Sequence, residues 1–225
     1  MRNFTSVNDI ESIKRAIENA KYVKENPFAD QHLGKNKTIM LIFFNSSLRT
    51  RLSTQKAALN LGMNAIVLDI NQGAWKLETE RGVIMDGDKS EHILEAIPVI
   101  GSYCDIIGVR SFAKFEKKSD DYEEVIINQF IKYSGRPVIS LESATVHPLQ
   151  SYADLITIEE YKKCEKPKVV LTWAPHPKSL PQAVANSFSE WMNRTDYEFV
   201  ITHPKGYELD EKFVQLFRAE WDDFE

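Results

Sequence analysis

The chain has 225 residues, 43% apolar and 27% charged, a size and composition that suit one large or two modest domains and exclude disorder. A net charge of −5 excludes a basic surface for nucleic acid, so any anion site must be local. The two cysteines, Cys104 and Cys164, lack metal-type spacing, the N-terminus lacks a signal peptide's apolar core, and no apolar stretch reaches membrane-spanning length; the expectation is a cytoplasmic protein with reduced thiols. In chain order, residues 9–24 are predicted helical, with Ile10, Ile13, Ile17 and Ala20 on one face and Asp9 as the cap. Residues 38–44 read as a buried strand, and residues 52–61 have helical spacing. Between these two lies Ser46-Ser47-Leu48-Arg49-Thr50-Arg51. A strand-to-helix turn of this composition suits a phosphate. The N–H groups and dipole of the helix start favour an anion, Ser47 and Thr50 add hydroxyl donors, and Arg49 adds a two-pronged cation. The ordinary alternative is an N-capped helix with solvated arginines. The glycine patterns of nucleotide-binding loops are absent from the sequence.

Residues 65–68 read as a short strand. The longest irregular stretch follows, residues 69–89, with Gly73-Ala74-Trp75-Lys76 and Met85-Asp86-Gly87-Asp88. Such a length suits a functional or mobile loop. Trp75 either covers local apolar surface or closes over a site, a neighbour's included. A helix over 90–103 presents Ile93, Ile97 and Ile100 on one face; a strand over 105–109, a helix over 122–133 and a strand over 137–140 follow. The pattern restarts near residue 150: helix 149–161, strand 169–173, helix 181–192, strand 197–201, helix 210–221. This alternation predicts mostly parallel sheets covered by helices. A boundary within residues 147–161 divides a unit at 1–148 from one at 149–225; the second, with about two βα repeats, is short for a doubly wound domain. Strand ends of a parallel sheet share one edge, where Arg49, Arg110, His147 and Gln150 are expected to converge.

Ser47-Leu48-Arg49-Thr50-Arg51 and His147-Pro148-Leu149-Gln150, with Arg110 after a strand between them, resemble the S-x-R-T-R and H-P-x-Q motifs of the aspartate/ornithine carbamoyltransferase family. Trp75, Met85-Asp86-Gly87-Asp88 and Thr172-Trp173-Ala174-Pro175-His176-Pro177-Lys178 resemble its N-acylornithine subgroup, the succinyl-using members more than the acetyl-using ones. The resemblance implies an α/β protein of two doubly wound parallel-sheet domains, the second incomplete, because the family's H-C-L-P segment and a later arginine are not found. It implies transfer of the carbamoyl group of carbamoyl phosphate to the δ-amine of N-succinyl- or N-acetylornithine, giving an N-acylcitrulline and phosphate in arginine biosynthesis. A homotrimer is implied, with Trp75 reaching a neighbouring subunit, and neither cofactor nor metal.

By the same resemblance, Ser47, Leu48, Arg49 and Thr50 hold the phosphate with side chains and backbone N–H groups, and Trp75 closes on it. Arg110 and His147 donate toward the carbonyl oxygen, and Gln150 takes the carbamoyl NH₂. Arg49, Arg110 and His147 are thus the expected catalytic residues. Glu142, His176, Lys178 and Ser90 would meet the acceptor. Ser90 removes the repulsion that a carboxylate there would exert on a succinyl group. Ordinary alternatives exist for each: a helix cap for Ser90 and His147, a helix-terminal charge for Glu142, a surface residue for Lys178. The alternative to an enzyme is a chain that binds carbamoyl phosphate or trimerises without turnover.

Overall fold

The computed structural model describes residues 2–70, 75–116, 118–176 and 181–214. A 3₁₀ turn, Val7–Asp9, opens the chain and is closed by reciprocal capping between Ser6 and Asp9. Helix α1 (Ile13–Glu25) starts after it, with Ser12 Oγ accepting the Arg15 N–H at 3.3 Å. Asp9 therefore caps the turn and not the expected longer helix. A short helix α2 (Gln31–Gly34), which the apolar periodicity does not reveal, leads into β1 (Thr38–Phe43). Only glycine fits at Gly34, because a Cβ there would stand 2.1 Å from the Leu61 carbonyl oxygen.

Three βα repeats follow. They comprise α3 (Arg49–Asn60), β2 (Asn64–Asp69), β3 (Leu77–Glu78), β4 (Glu91–His92), α4 (Ile93–Ser102), β5 (Ile106–Arg110), α5 (Lys118–Tyr122), α6 (Val125–Tyr133) and β6 (Val138–Glu142). The main sheet has the order β2-β1-β5-β6, with every pair parallel. Because β1 is flanked on both sides and covered on both faces, it reads as an unbroken apolar run. Its alternate residues go to opposite faces. Met40 and Ile42 join Ile107, Val109 and Val138 beneath Ile93, Ile97, Ile127 and Phe130 of α4 and α6. Ile39, Leu41 and Phe43 join Leu141, Ala58 and Met63 on the other side.

The rest of the described chain is α7 (Pro148–Tyr161), β7 (Lys168–Thr172), α8 (Ala183–Met192), β8 (Glu198–Thr202) and α9 (Glu211–Val214). Strands β7 and β8 form a separate parallel two-stranded sheet, so the α/β class expected from the alternation holds here as well. The contact between α7, α8 and the N-terminal segment is apolar. Phe4, Ile10, Ile13 and Ile17 from the N-terminus pack with Leu155 of α7 and Trp191 of α8. Trp191 is fully buried, stacked on Tyr152 with ring centroids 4.9 Å apart. The expected boundary at 148/149 falls in the first turn of α7, the helix that touches both sheets' layers.

Three local expectations are corrected. The helix expected from Ser90 begins at Ile93, capped by His92 Nδ1, which accepts the Leu94 N–H at 3.2 Å. Ser90 instead donates its N–H to the Lys76 carbonyl at 2.9 Å, just before β4, so the stretch expected to be an irregular loop contains a strand, β3, that pairs with the first residues of the expected helix. The helix expected over 122–133 is interrupted at Glu124, whose φ is 51°. The helix expected over 210–221 is described only as α9; its remainder lies outside the described residues. Among the described residues no helix is long and apolar enough to cross a membrane.

Candidate active site

Register places the strand ends in one row. Phe43 aligns with Asp69 on one side and Arg110 on the other, and Arg110 aligns with Glu142 across a bulge at Val109/Arg110. The chain leaves β1 through Asn45 to Leu48 and enters α3 at Arg49, three residues before the expected start. Arg49, Thr50 and Arg51 therefore occupy the first helical turn. Ser47 Oγ accepts the Thr50 N–H at 3.2 Å, closing the turn. Leu48 and Arg49 are exposed, whereas Arg51 folds back over the Phe43 ring, 5.0 Å from its centroid, and pairs with Asp69. Spacing alone did not separate the two arginines. A helix turns about 100° per residue, so positions two apart face different surroundings.

At the neighbouring strand end, Arg110 is buried and multiply held. Its Nε and Nη2 donate to Glu142 Oε2 at 3.2 and 2.9 Å. Nη1 donates to the Asn45 carbonyl at 3.1 Å and to that of Ser46, and the guanidinium lies 4.2 Å from the Phe112 ring centroid. These contacts use four of its five N–H donors. Glu142 is buried, and desolvation pushes its carboxyl above the usual range despite Arg110. His147 Nε2 lies 3.5 Å from Glu142 Oε2. Burial first, and the Arg110 charge second, bring the His147 pKa down to about 4, so the ring is neutral at pH 7. His147 occupies the N-cap position of α7, but its side chain makes no cap bond, which removes the ordinary capping alternative.

A pH test follows. His147 in the folded protein binds its proton less tightly than in the unfolded chain, where the pKa is about 6.5. The stability from burying it neutral is complete above pH 6.5 and is lost as pH falls towards 4, by about 3 kcal/mol at most. Glu190 of α8 has the opposite sign: burial raises it to about 7, so neutralising it stabilises the fold as pH falls from 7 towards 4.5. The two windows overlap and oppose. Urea midpoints of the unaltered chain should change little from these two groups between pH 4.5 and 6.5. His147→Gln should become more stable as pH falls there, and Glu190→Gln less stable. Parallel profiles for the three proteins would refute this pairing.

The other expected site residues are more scattered. Gln150 is exposed, its Nε2 donating to Asp154 at 2.8 Å. Trp75 is 64% exposed and its Nε1 donates to Glu91 at 2.8 Å. Ser90 is exposed two residues before the His92 cap. His176 lines a separate cleft of about 960 Å³ with Thr145, Asp154, Trp173 and Tyr207, which Arg49, Arg110, His147 and Gln150 do not line. Lys178 lies outside the described residues. Sequence reasoning missed Asp69 and Asp154 as partners of Arg51 and Gln150. Asp154 had a signal, the i,i+4 spacing from Gln150; Asp69 had only its position at a strand end.

Residues 2–160 match the family described as aspartate/ornithine carbamoyltransferase, carbamoyl-P binding domain. Over 222 residues the chain is 73% identical to an N-succinylornithine carbamoyltransferase of Bacteroides fragilis, covering 99% of this chain and 70% of that protein. An N-acetylornithine carbamoyltransferase of Xylella fastidiosa is 39% identical, with 89% of this chain and 61% of that protein covered. The solved N-acetyl-L-ornithine transcarbamylase with carbamyl phosphate and N-succinyl-L-norvaline, a glutamate-to-serine variant, superposes with a TM-score of 0.87 at 37% identity. A structure of acetylornithine transcarbamylase with acetylcitrulline gives 0.86 at the same identity; each alignment covers 96% of this chain and 66% of the solved one. A matched domain that spans the phosphate-type turn, Arg110 and His147, together with relatives of this identity, makes the chain a member of the aspartate/ornithine carbamoyltransferase family.

Proposed function

We propose that the protein transfers the carbamoyl group of carbamoyl phosphate to the δ-amine of N-succinyl-L-ornithine or N-acetyl-L-ornithine, a step of arginine biosynthesis in the cytoplasm. The observation that carries the reading is the gathering of the Arg49 turn, Arg110 and His147 at one edge of a parallel sheet. The amine lone pair attacks the carbonyl carbon and a C–N bond forms. Negative charge moves to the carbonyl oxygen, and the bond from that carbon to the phosphate oxygen then breaks. The departing phosphate accepts the amine's proton, so no protein base is needed. Ser47, Leu48, Arg49 and Thr50 hold the phosphate. Arg110 Nη1 exchanges a backbone carbonyl for the substrate's oxygen, and neutral His147 donates to that oxygen. Donors fixed in advance at a developing oxyanion contribute roughly 3–4 kcal/mol each. Gln150 presents its amide oxygen to the carbamoyl NH₂, because the Asp154 carboxylate accepts from its amide nitrogen.

The acceptor enters through the cleft at His176, Thr145 and Asp154, which adjoins Gln150 through its hydrogen bond to Asp154. Glu142, Lys178 and Ser90 complete the acceptor site. A relative with serine in place of a glutamate was solved with N-succinyl-L-norvaline, which supports the succinyl preference for a chain carrying Ser90. Ser90→Glu should lower the rate with N-succinylornithine relative to N-acetylornithine by about tenfold, ~1.4 kcal/mol. An unaltered ratio removes Ser90 from the acceptor site.

Assembly is proposed to be trimeric. Leu52 and Leu59, seven apart on α3, and Ile66 and Leu68 on the edge strand β2 are exposed apolar side chains, as such an interface requires. Trp75, also exposed, reaches a neighbouring subunit's phosphate. Light scattering tests the trimer. Calorimetric titration with carbamoyl phosphate, followed by assays with ornithine, N-acetylornithine and N-succinylornithine, tests the function; no saturable binding by the folded chain would overturn it.

A further inference from the structure

Residues 143–147 connect Glu142 to His147, and neither residue can be placed without that loop. Four hydrogen bonds run from it to one side chain, that of Glu124. Ser143 Oγ and the Thr145 N–H and Oγ1 donate to Glu124 Oε1 at 2.6, 2.8 and 2.5 Å, and the Ala144 N–H donates to Oε2 at 3.2 Å. Ser143 and Thr145 are 2% and 4% exposed, so this carboxylate is the fixed point around which a buried loop is built. Glu124 reaches it from the break between α5 and α6, with φ 51° and ψ 43°. That left-handed conformation is unfavourable for a residue with a side chain, and a continuous 122–133 helix would have avoided it. The break therefore needs a compensating role, and the four bonds supply one.

From the opposite side α8 grips the same loop. Asn186 Nδ2 donates to the Thr145 carbonyl at 3.0 Å, and Ser187 Oγ accepts the His147 N–H at 2.8 Å; both side chains' residues are 1% exposed. The loop is thus clamped between a carboxylate of the first unit and two polar residues of the second. We propose that Glu124 is a positioning residue which, with Asn186 and Ser187, holds residues 143–147 so that Glu142 and His147 face Arg110, and that through this clamp the placement of α8 sets the geometry of the carbamoyl-transfer site. This rests on the carbamoyl-transfer reading above. Glu124 acts on Arg110 and His147 through the loop that its carboxylate holds.

The test uses the full chain and four variants: Glu124→Ala, Glu124→Gln, Thr145→Val and Ser187→Ala. Carbamoyl phosphate affinity is read by calorimetry, the His147 ring titration by NMR, and overall folding by urea midpoint. Glu124→Ala should weaken carbamoyl phosphate binding at least tenfold and let His147 titrate nearer its ordinary value, as the ring loses its buried seat. Glu124→Gln keeps an acceptor oxygen for Ser143 and Thr145 and should restore most of both readouts. Ser187→Ala should move the His147 titration in the same direction as Glu124→Ala. A lowered midpoint with unchanged affinity and unchanged His147 titration would make Glu124 a mere fold stabiliser and overturn the proposal. Should Glu124→Ala not fold, Thr145→Val, which deletes one donor, decides on the same two readouts. If the unaltered chain binds no carbamoyl phosphate but His147 still shifts in the variants, the carbamoyl-transfer reading fails while the clamp stands.

Discussion

Arg49→Ala should weaken carbamoyl phosphate binding by at least about tenfold, the cost of one charge-assisted phosphate contact. Arg49 is the first residue of α3, beside the unsatisfied N–H groups of the helix start, and it is exposed. Losing a charge-assisted contact to phosphate costs about 1.5–3 kcal/mol, roughly tenfold to 150-fold in affinity. Arg49→Lys keeps the charge but not the two-pronged geometry, and should fall between the two. The stability of either variant should barely change, because an exposed helical arginine contributes little to folding. Arg51→Ala makes the contrast. It removes the pair with Asp69 and the contact with Phe43, so it should lower the urea midpoint. Calorimetry on the three variants checks the assignment. Unchanged affinity in Arg49→Ala would sink the phosphate turn.

The second large effect belongs to the buried pair. Arg110→Met should destabilise the fold by about 3–5 kcal/mol, since it leaves the Glu142 carboxyl buried beside two backbone carbonyls that have lost their donor. Part of that loss will be avoided by protonating Glu142, whose pKa burial already raises. Arg110→Met should therefore be less destabilised at pH 5 than at pH 8. The double variant Arg110→Met, Glu142→Leu should regain much of the stability, because well-packed apolar pairs often match buried ion pairs. It should regain no carbamoyl transfer, since the donor proposed above for the carbonyl oxygen is gone. Urea denaturation at the two pH values separates these cases. A double variant no more stable than Arg110→Met would mean that the pair is held for reasons other than mutual charge compensation.

The legible parts of the fold were those in which one physical pattern dominates. Strand β1 reads as a continuous apolar run because helices cover both its faces, and its observed span ends one residue from the expected one. Helix α8 was visible from its spacing and starts two residues inside the expectation. Where two local preferences compete, the sequence misled. Ser90 looked like a cap because Ser caps are common, yet the chain pairs Glu91 and His92 with Leu77 and Glu78 and lets His92 cap the helix. The segment 122–133 has helical apolar spacing throughout. The break at Glu124 follows from bonds to residues about twenty positions away, which no local pattern can carry.

The sequence by itself determined the α/β alternation, the apolar faces, and the residue types that reach the sheet edge: the Arg49 turn, Arg110, and His147 after Glu142. These follow from periodicity and from chain order, since parallel strands must end on the same side. Tertiary structure alone decided how those groups meet. Register put Arg110 beside Glu142, burial made His147 neutral, and Asp69 separated the role of Arg51 from that of Arg49. It also decided that a carboxylate on one helix break and two polar residues on α8 hold the loop between Glu142 and His147. Each of these is a contact between segments far apart in the chain, whose energy depends on distance and burial and so has no signature in local sequence.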